Sequence, residues 1–215
     1  MSLSDWLYPG NPKRREKVIR RSQELLELMK NNFRATNSLS EIVNKHLGSS
    51  FDPIALDERA TVKENCEVMI ERVNQIQAKV EEVNEELKNK LDPAMYEQLQ
   101  KMSFHDLKTL SVAQKRVISS TCQVSAAIIV TVLMKKIRVL TNITSTCVRV
   151  VGGMIATFVV GLLIDLIASA IIGHYERKHL EEALEDHEKV LVEFRPASEQ
   201  YQDAIAEVKA VIAFL

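Results

Sequence analysis

The sequence predicts an all-α fold, with long antiparallel helices whose coiled-coil seams surround one apolar, membrane-spanning helix. Three observations carry this reading. Six glycines, five prolines and 5% aromatics in 215 residues leave too few turn signals for a β-sandwich or barrel. Apolar residues recur at steps of three and four over long stretches. Residues 150–173, VVGGMIATFVVGLLIDLIASAIIG, hold a single charge, Asp165.

Residues 1–11 read as an N-terminal segment; MSLSDWLYPGNPKRREK has no apolar core, so no cleaved secretory signal is expected. Asn11-Pro12 caps a first helix over 12–47, because proline at the first helical position loses no hydrogen bond. Ile19, Leu26, Met29, Phe33, Val43 and Leu47 form its stripe, diluted by Ser22, Thr36 and Ser40. The loop GSSFDP at 48–53 follows.

A coiled-coil helix is expected over 55–91. Val62, Cys66, Met69, Val73, Ile76, Val80, Val83 and Leu87 alternate steps of four and three, which is a heptad seam. Asp92-Pro93 ends it and caps a linking helix over 93–116. Residues 117–149 read as a weakly apolar segment, 117–134, followed by a basic loop. A transmembrane helix at 150–173 comes next. The C-terminal amphipathic helix, 174–215, carries Leu180, Leu184, His187, Leu191, Phe194, Ser198, Tyr201, Ile205, Val208, Ile212 and Leu215 on one seam. Pro196 lies inside it and predicts a kink or break, since a proline there removes a backbone bond at a cost of ~3 kcal/mol.

Simple arithmetic favours 150–173 as the span. Its 13 Leu, Ile, Val and Phe residues contribute roughly −6 kcal/mol on an insertion scale, against about +3 for Asp165. For 117–134 only eight such residues give roughly −3.5 kcal/mol, and its hydroxyls and Gln123 erode most of that. Lys135, Lys136, Arg138 and Arg149 precede the span, which places the N-terminal region in the cytoplasm for one crossing. Two crossings, with 117–134 included as half of an apolar hairpin, are the alternative. Only in that case does the glycosylation sequon at Asn142 lie in a luminal loop.

Gly153, Thr157, Gly161, Asp165 and Ser169 recur every four residues, a small-and-polar stripe suited to helix–helix contact in a membrane. Lys13, Arg14, Arg15 and Lys17 are candidates for contact with anionic lipid. The net charge of −1 gives no reason to expect nucleic-acid binding. Three widely spaced cysteines without a CxxC pair favour reduced thiols. His174 and His179 are spaced for different helix faces, so no metal site is expected. No nucleotide loop, nucleophile elbow or carboxylate pair is found. No cofactor, catalytic residue or small-molecule substrate is therefore expected.

LYPGNPKRREKV (7–18), TVKENCEVMI (61–70) and LVEFRPASEQY (191–201) resemble the single-pass membrane and coiled-coil domain-containing protein 3 family. The resemblance implies one transmembrane helix and a coiled coil, and brings no functional residues with it. The expected function is a membrane-anchored coiled-coil interaction or scaffold protein. Its partners would be the bilayer and a partner helix, from a second copy or another protein. Two alternatives stand beside it: membrane remodelling or pore formation by an apolar hairpin at 117–173, and a soluble bundle with 150–173 as its buried core.

Overall fold

A computed structural model describes residues 10–120, 122–151, 160 and 174–213, and every regular element among them is a helix. These are α1 (Asn11–Leu47), α2 (Val62–Lys90), α3 (Pro93–Lys101), α4 (Phe104–Lys108), α5 (Val112–Ser119), α6 (Val124–Val151) and α7 (His174–Ile212). They build two compact units. Unit 1 is Met1–Phe33, Ala55–Ile70 and Ile143–Glu199; unit 2 is Arg34–Ile54, Glu71–Asn142 and Gln200–Leu215. The four long helices each contribute to both.

α1 stops at Gly48, whose φ of 68° is the left-handed conformation that only glycine adopts freely. Its buried face is Val18, Ser22, Leu25, Met29, Phe33, Thr36, Leu39, Val43 and Leu47, while Ile19 and Leu26 are half-buried. Met29, Phe33, Val43 and Leu47 are thus inside as expected, whereas at the start of the helix Val18 and Leu25 replace Ile19 and Leu26, and Ser22 and Thr36 belong to the inward face instead of interrupting it.

The chain then turns back along α1 in extended form, and α2 begins at Val62 instead of 55. Asparagine side chains hold this strap. Asn44 donates from Nδ2 to the Phe51 carbonyl (2.9 Å) and accepts from its N–H (2.8 Å). Asn37 grips Ile54 the same way, with both bonds at 2.8 Å. In unit 1, Asn65 does so for Asp57, at 2.9 Å twice. A carboxamide presents donor and acceptor side by side, so each copies the peptide of a neighbouring strand. The return strap brings the start of α2 back to the unit that holds the first half of α1.

Thr61 and Glu64 close a reciprocal cap on α2: Thr61 N–H donates to Glu64 Oε2 at 2.7 Å and Glu64 N–H to Thr61 Oγ1 at 3.1 Å. The expected linking helix over 93–116 is broken into three. Asp92 caps α3, while Ser103 with Asp106 and Ser111 with Gln114 form two further capping boxes. Each starts a separate short helix.

The residues expected as a basic loop, 135–149, lie within α6. Their charged members take its outer face while Leu140, Ile143 and Cys147 point inward. All seven residues from Ala127 to Leu133 are buried, so in unit 2 this part of α6 is enclosed on all sides. α7 runs unbroken through Pro196. Pro196 is exposed and Val192, the residue whose carbonyl loses its helical partner, is 71% exposed. Water can therefore satisfy that carbonyl, and the helix need not break.

The expected antiparallel order does not describe α1 and α7. In unit 1, Arg14 pairs with Glu181 (3.1 Å), Ser22 with His187 (2.9 Å) and Asn32 with Ser198 (2.9 Å). In unit 2, Thr36 pairs with Tyr201 (2.8 Å) and Ser38 with Lys209 (2.8 Å). Both numberings climb together, so the helices are parallel. α6 meets α7 through Arg149–Glu193 in unit 1 and through Lys136–Glu207 in unit 2, both at 2.5 Å.

Candidate functional site

The most distinctive chemistry lies along the α1–α7 contact of unit 1. His187 is fully buried, with Nδ1 2.6 Å from the Ala183 carbonyl and Nε2 2.9 Å from Ser22 Oγ. The Ser22 hydroxyl also lies 2.9 Å from the Val18 carbonyl. One hydroxyl proton serves these two acceptors in turn. With a neutral ring, Nδ1–H donates to Ala183 and the hydroxyl donates to Nε2. With a charged ring, Nε2–H donates to the hydroxyl, which turns toward Val18. Both protonation states keep a hydrogen bond at each ring nitrogen. Burial holds His187 below the usual histidine range, against the hydrogen bond to Ala183 and the charge of Asp186. Asp186 Oδ2 is itself shielded from water and has no hydrogen-bond partner among the described residues.

Glu24 flanks this contact. Its carboxylate accepts from Arg195 Nε at 2.7 Å and from Arg21 at 3.1 Å. Burial pushes the Glu24 carboxyl up, but the two guanidinium groups outweigh it and hold the carboxyl below its ordinary range.

Ser22 and Thr36 appear in sequence as dilutions of an apolar stripe. The readable signal was the matching polar positions His187, Ser198 and Tyr201 on the seam of α7, which needed partners once buried.

On the α2 seam, Val62, Cys66 and Met69 are buried in unit 1, and Val73, Ile76, Val80 and Leu87 in unit 2; Val83 is half-buried. The seam is therefore occupied by this chain's own packing. Cys66 of α2 and Cys147 of α6 are both buried in unit 1, and the neighbouring Cys66 thiol together with burial pushes the Cys147 thiol well above its ordinary range.

Of the lipid candidates, Arg14 is committed to Glu181, Arg15 is half-buried, and Lys13 and Lys17 are exposed. Three of the basic residues read as flanks of a span, Lys135, Lys136 and Arg149, also have partners. Lys135 donates to the Met102 carbonyl, and Lys136 pairs with Glu207 and lies 5.2 Å from the Phe104 ring centre. The stripe Gly153, Thr157, Gly161, Asp165 and Ser169 lies outside the described residues. Val160 is described. It is 3% exposed in unit 1, and its N–H donates to the Ala60 carbonyl at 3.0 Å. Among the described residues no single helix is long and apolar enough to cross a membrane; α5 and α6 reach that threshold only together, bent by 96°.

Unit 2 has a cleft of about 270 Å³ lined by His46, Lys79, Glu86, Lys90, Cys122 and Gln123, among others. Lys79 pairs with Glu82 and Lys90 with Glu86, each at 2.9 Å. The Cys122 thiol donates to the Ile118 carbonyl at 3.6 Å. Burial and the neighbouring Lys45 charge hold His46 below its usual range. Charges and thiol are thus turned toward the cleft's own walls. Among the described residues no group of three or more His, Cys, Asp or Glu side chains is placed to hold a metal ion.

A family model described as a protein of unknown function, DUF4533, matches residues 14–167. No solved structure matches the chain.

Proposed function

The chain belongs to the DUF4533 family of proteins of unknown function, and we propose that it is a non-catalytic helical interaction protein that attaches to a membrane from one side. The apolar stretch 150–173 is the attachment, and the helices before and after it stay packed together.

The carrying observation is the α1–α7 contact in unit 1. Ser22–His187 and Asn32–Ser198 join a helix that precedes the apolar stretch to the helix that follows it. Arg149–Glu193 does the same for α6. One complete crossing at 150–173 would part these partners across a bilayer. Two crossings, one of them through 117–134, would draw into lipid the α6 residues that are enclosed in unit 2. One-sided attachment leaves these three helix–helix pairs intact. The sequence supports the attachment itself through 13 strongly apolar residues and one charge. The resemblance to a single-pass membrane and coiled-coil family points to the same location. Both seams are filled from within the chain, so a partner protein would meet the exposed faces of the helices.

A second reading, membrane remodelling, draws support from the enclosure of Ala127–Leu133, an apolar helix sheathed by amphipathic ones. Flotation with dye-loaded liposomes separates the readings. The proposal expects the purified chain to float and the dye to stay inside, with Leu163→Arg/Ile167→Arg abolishing flotation. Dye release at low protein-to-lipid ratios would favour remodelling. A chain that never floats would return 150–173 to the core of a soluble bundle.

A further inference from the structure

We infer that the outer face of α5, in unit 2, is a lipid-contact surface that lays exposed valines and cations on an anionic bilayer. The contact is additional to the attachment at 150–173, and either can hold without the other.

From Leu107 to Ile164 the sequence has no acidic residue and seven basic ones, which leaves a net charge of −8 on the rest of the chain. α5 lies within this stretch. Ser111 and Gln114 cap its start reciprocally, so the helix is closed by its own local bonds. Ile118 is buried and Gln114 half-buried, while the other six of its eight residues are exposed. On a helix of about 3.6 residues per turn, Arg116 falls opposite that inward pair, flanked by Val112 and Ala113, with Lys115 and Val117 at the two edges.

Two properties of this face name its occupant. The first is unbalanced charge. Elsewhere in unit 2, Lys79, Lys90 and Lys136 are each paired with a glutamate, whereas Lys115 and Arg116 form no ion pair among the described residues. Exposed cations of this kind are drawn to anionic headgroups. The second is exposed apolar surface. Val112 is 71% exposed and Val117 44%, so this short helix carries two of the five large apolar side chains exposed among the described residues. A polyanion in water gains nothing from those valines, but the boundary between headgroups and acyl chains takes up apolar residues beside Lys and Arg. Eight residues span only about 12 Å of a hydrocarbon core roughly 30 Å thick, so α5 lies on the surface and does not cross.

The test measures partition of the purified full chain into phosphatidylcholine vesicles with and without phosphatidylserine. Binding to pure phosphatidylcholine reads the attachment at 150–173; the gain on adding phosphatidylserine reads the cationic contacts. Lys115→Gln/Arg116→Gln should weaken binding to the phosphatidylserine vesicles by about 30-fold and leave phosphatidylcholine binding unchanged. Val112→Gln/Val117→Gln should weaken phosphatidylserine binding several-fold. Lys115→Arg/Arg116→Lys keeps both charges, should bind like the parent, and controls for folding. An unchanged phosphatidylserine gain in Lys115→Gln/Arg116→Gln would overturn the proposal, as would an equal loss in the charge-keeping variant. Loss from the charge change with none from the valine change would assign the face to a soluble polyanion or an acidic protein, and so overturn the bilayer contact. A chain that binds phosphatidylserine vesicles through α5 but ignores phosphatidylcholine would uphold this contact and remove the attachment at 150–173.

Discussion

Ser22 Oγ and His187 Nε2 lie 2.9 Å apart in a fully buried contact that joins the first and last long helices in parallel. The contact makes stability depend on pH in a definite direction. Burial lowers the folded-state pKa of His187 from its ordinary 6.5. Above that value both folded and unfolded chains hold a neutral ring, and the contribution to stability is whole. Below it the unfolded chain takes up the proton first, so stability falls from about pH 6.5 toward the lower folded-state value. Urea unfolding at pH 7.5 and 5.5 should show this loss, limited by one proton to about 1.4 kcal/mol per pH unit. His187→Gln should reduce the slope, and His46, shifted the same way, should account for part of the remainder.

The strap should come loose when its asparagines are cut back. Asn44→Ala removes both bonds to Phe51. The expected cost is about 1–3 kcal/mol, from two half-buried backbone groups left without partners. Limited proteolysis should then cut between residues 49 and 56 faster than in the parent chain. Unchanged cleavage would show that the strap is held by its apolar contacts alone.

Enclosure of α6 implies a steep response to cavities. Leu133→Ala, at a fully buried position, should cost about 2–5 kcal/mol. Val192→Ala, 71% exposed on α7, should change stability by no more than about 0.5 kcal/mol. Denaturant midpoints for the two variants provide the comparison.

Much of this was legible beforehand, and the losses have physical causes. Steps of three and four placed all but one of the α2 seam residues correctly inside, because burial of one face is what such spacing encodes. Helix direction was not encoded there, since a seam looks alike for parallel and antiparallel neighbours. The extended strap after α1 is held by Asn37, Asn44 and Asn65, three residues that read as ordinary polar positions until their backbone partners were in place. The breaks between α3, α4 and α5 could have been read from Ser103…Asp106 and Ser111…Gln114, whose capping boxes are sequence signatures. Pro196 was read as a breaker, but its exposure lets solvent replace the missing bond.

Lipid contact at the start of α1 should rest on Lys13 and Lys17, since Arg14 already pairs with Glu181. Lys13→Gln/Lys17→Gln should weaken binding to anionic vesicles by about 30-fold, from roughly 1 kcal/mol per basic residue. Binding to neutral vesicles should be unchanged. Equal losses on both vesicle types would assign the effect to folding.

One-sided attachment is tested most directly by sequon mapping in microsomes, read only on chain that resists carbonate extraction. One acceptor site is placed within residues 1–9 and another after Leu215. The account expects both to stay unglycosylated and both to be clipped by protease added outside. A glycosylated C-terminal site on a chain whose N-terminal site is bare would put α1 and α7 on opposite sides and contradict it, as would the absence of any carbonate-resistant chain.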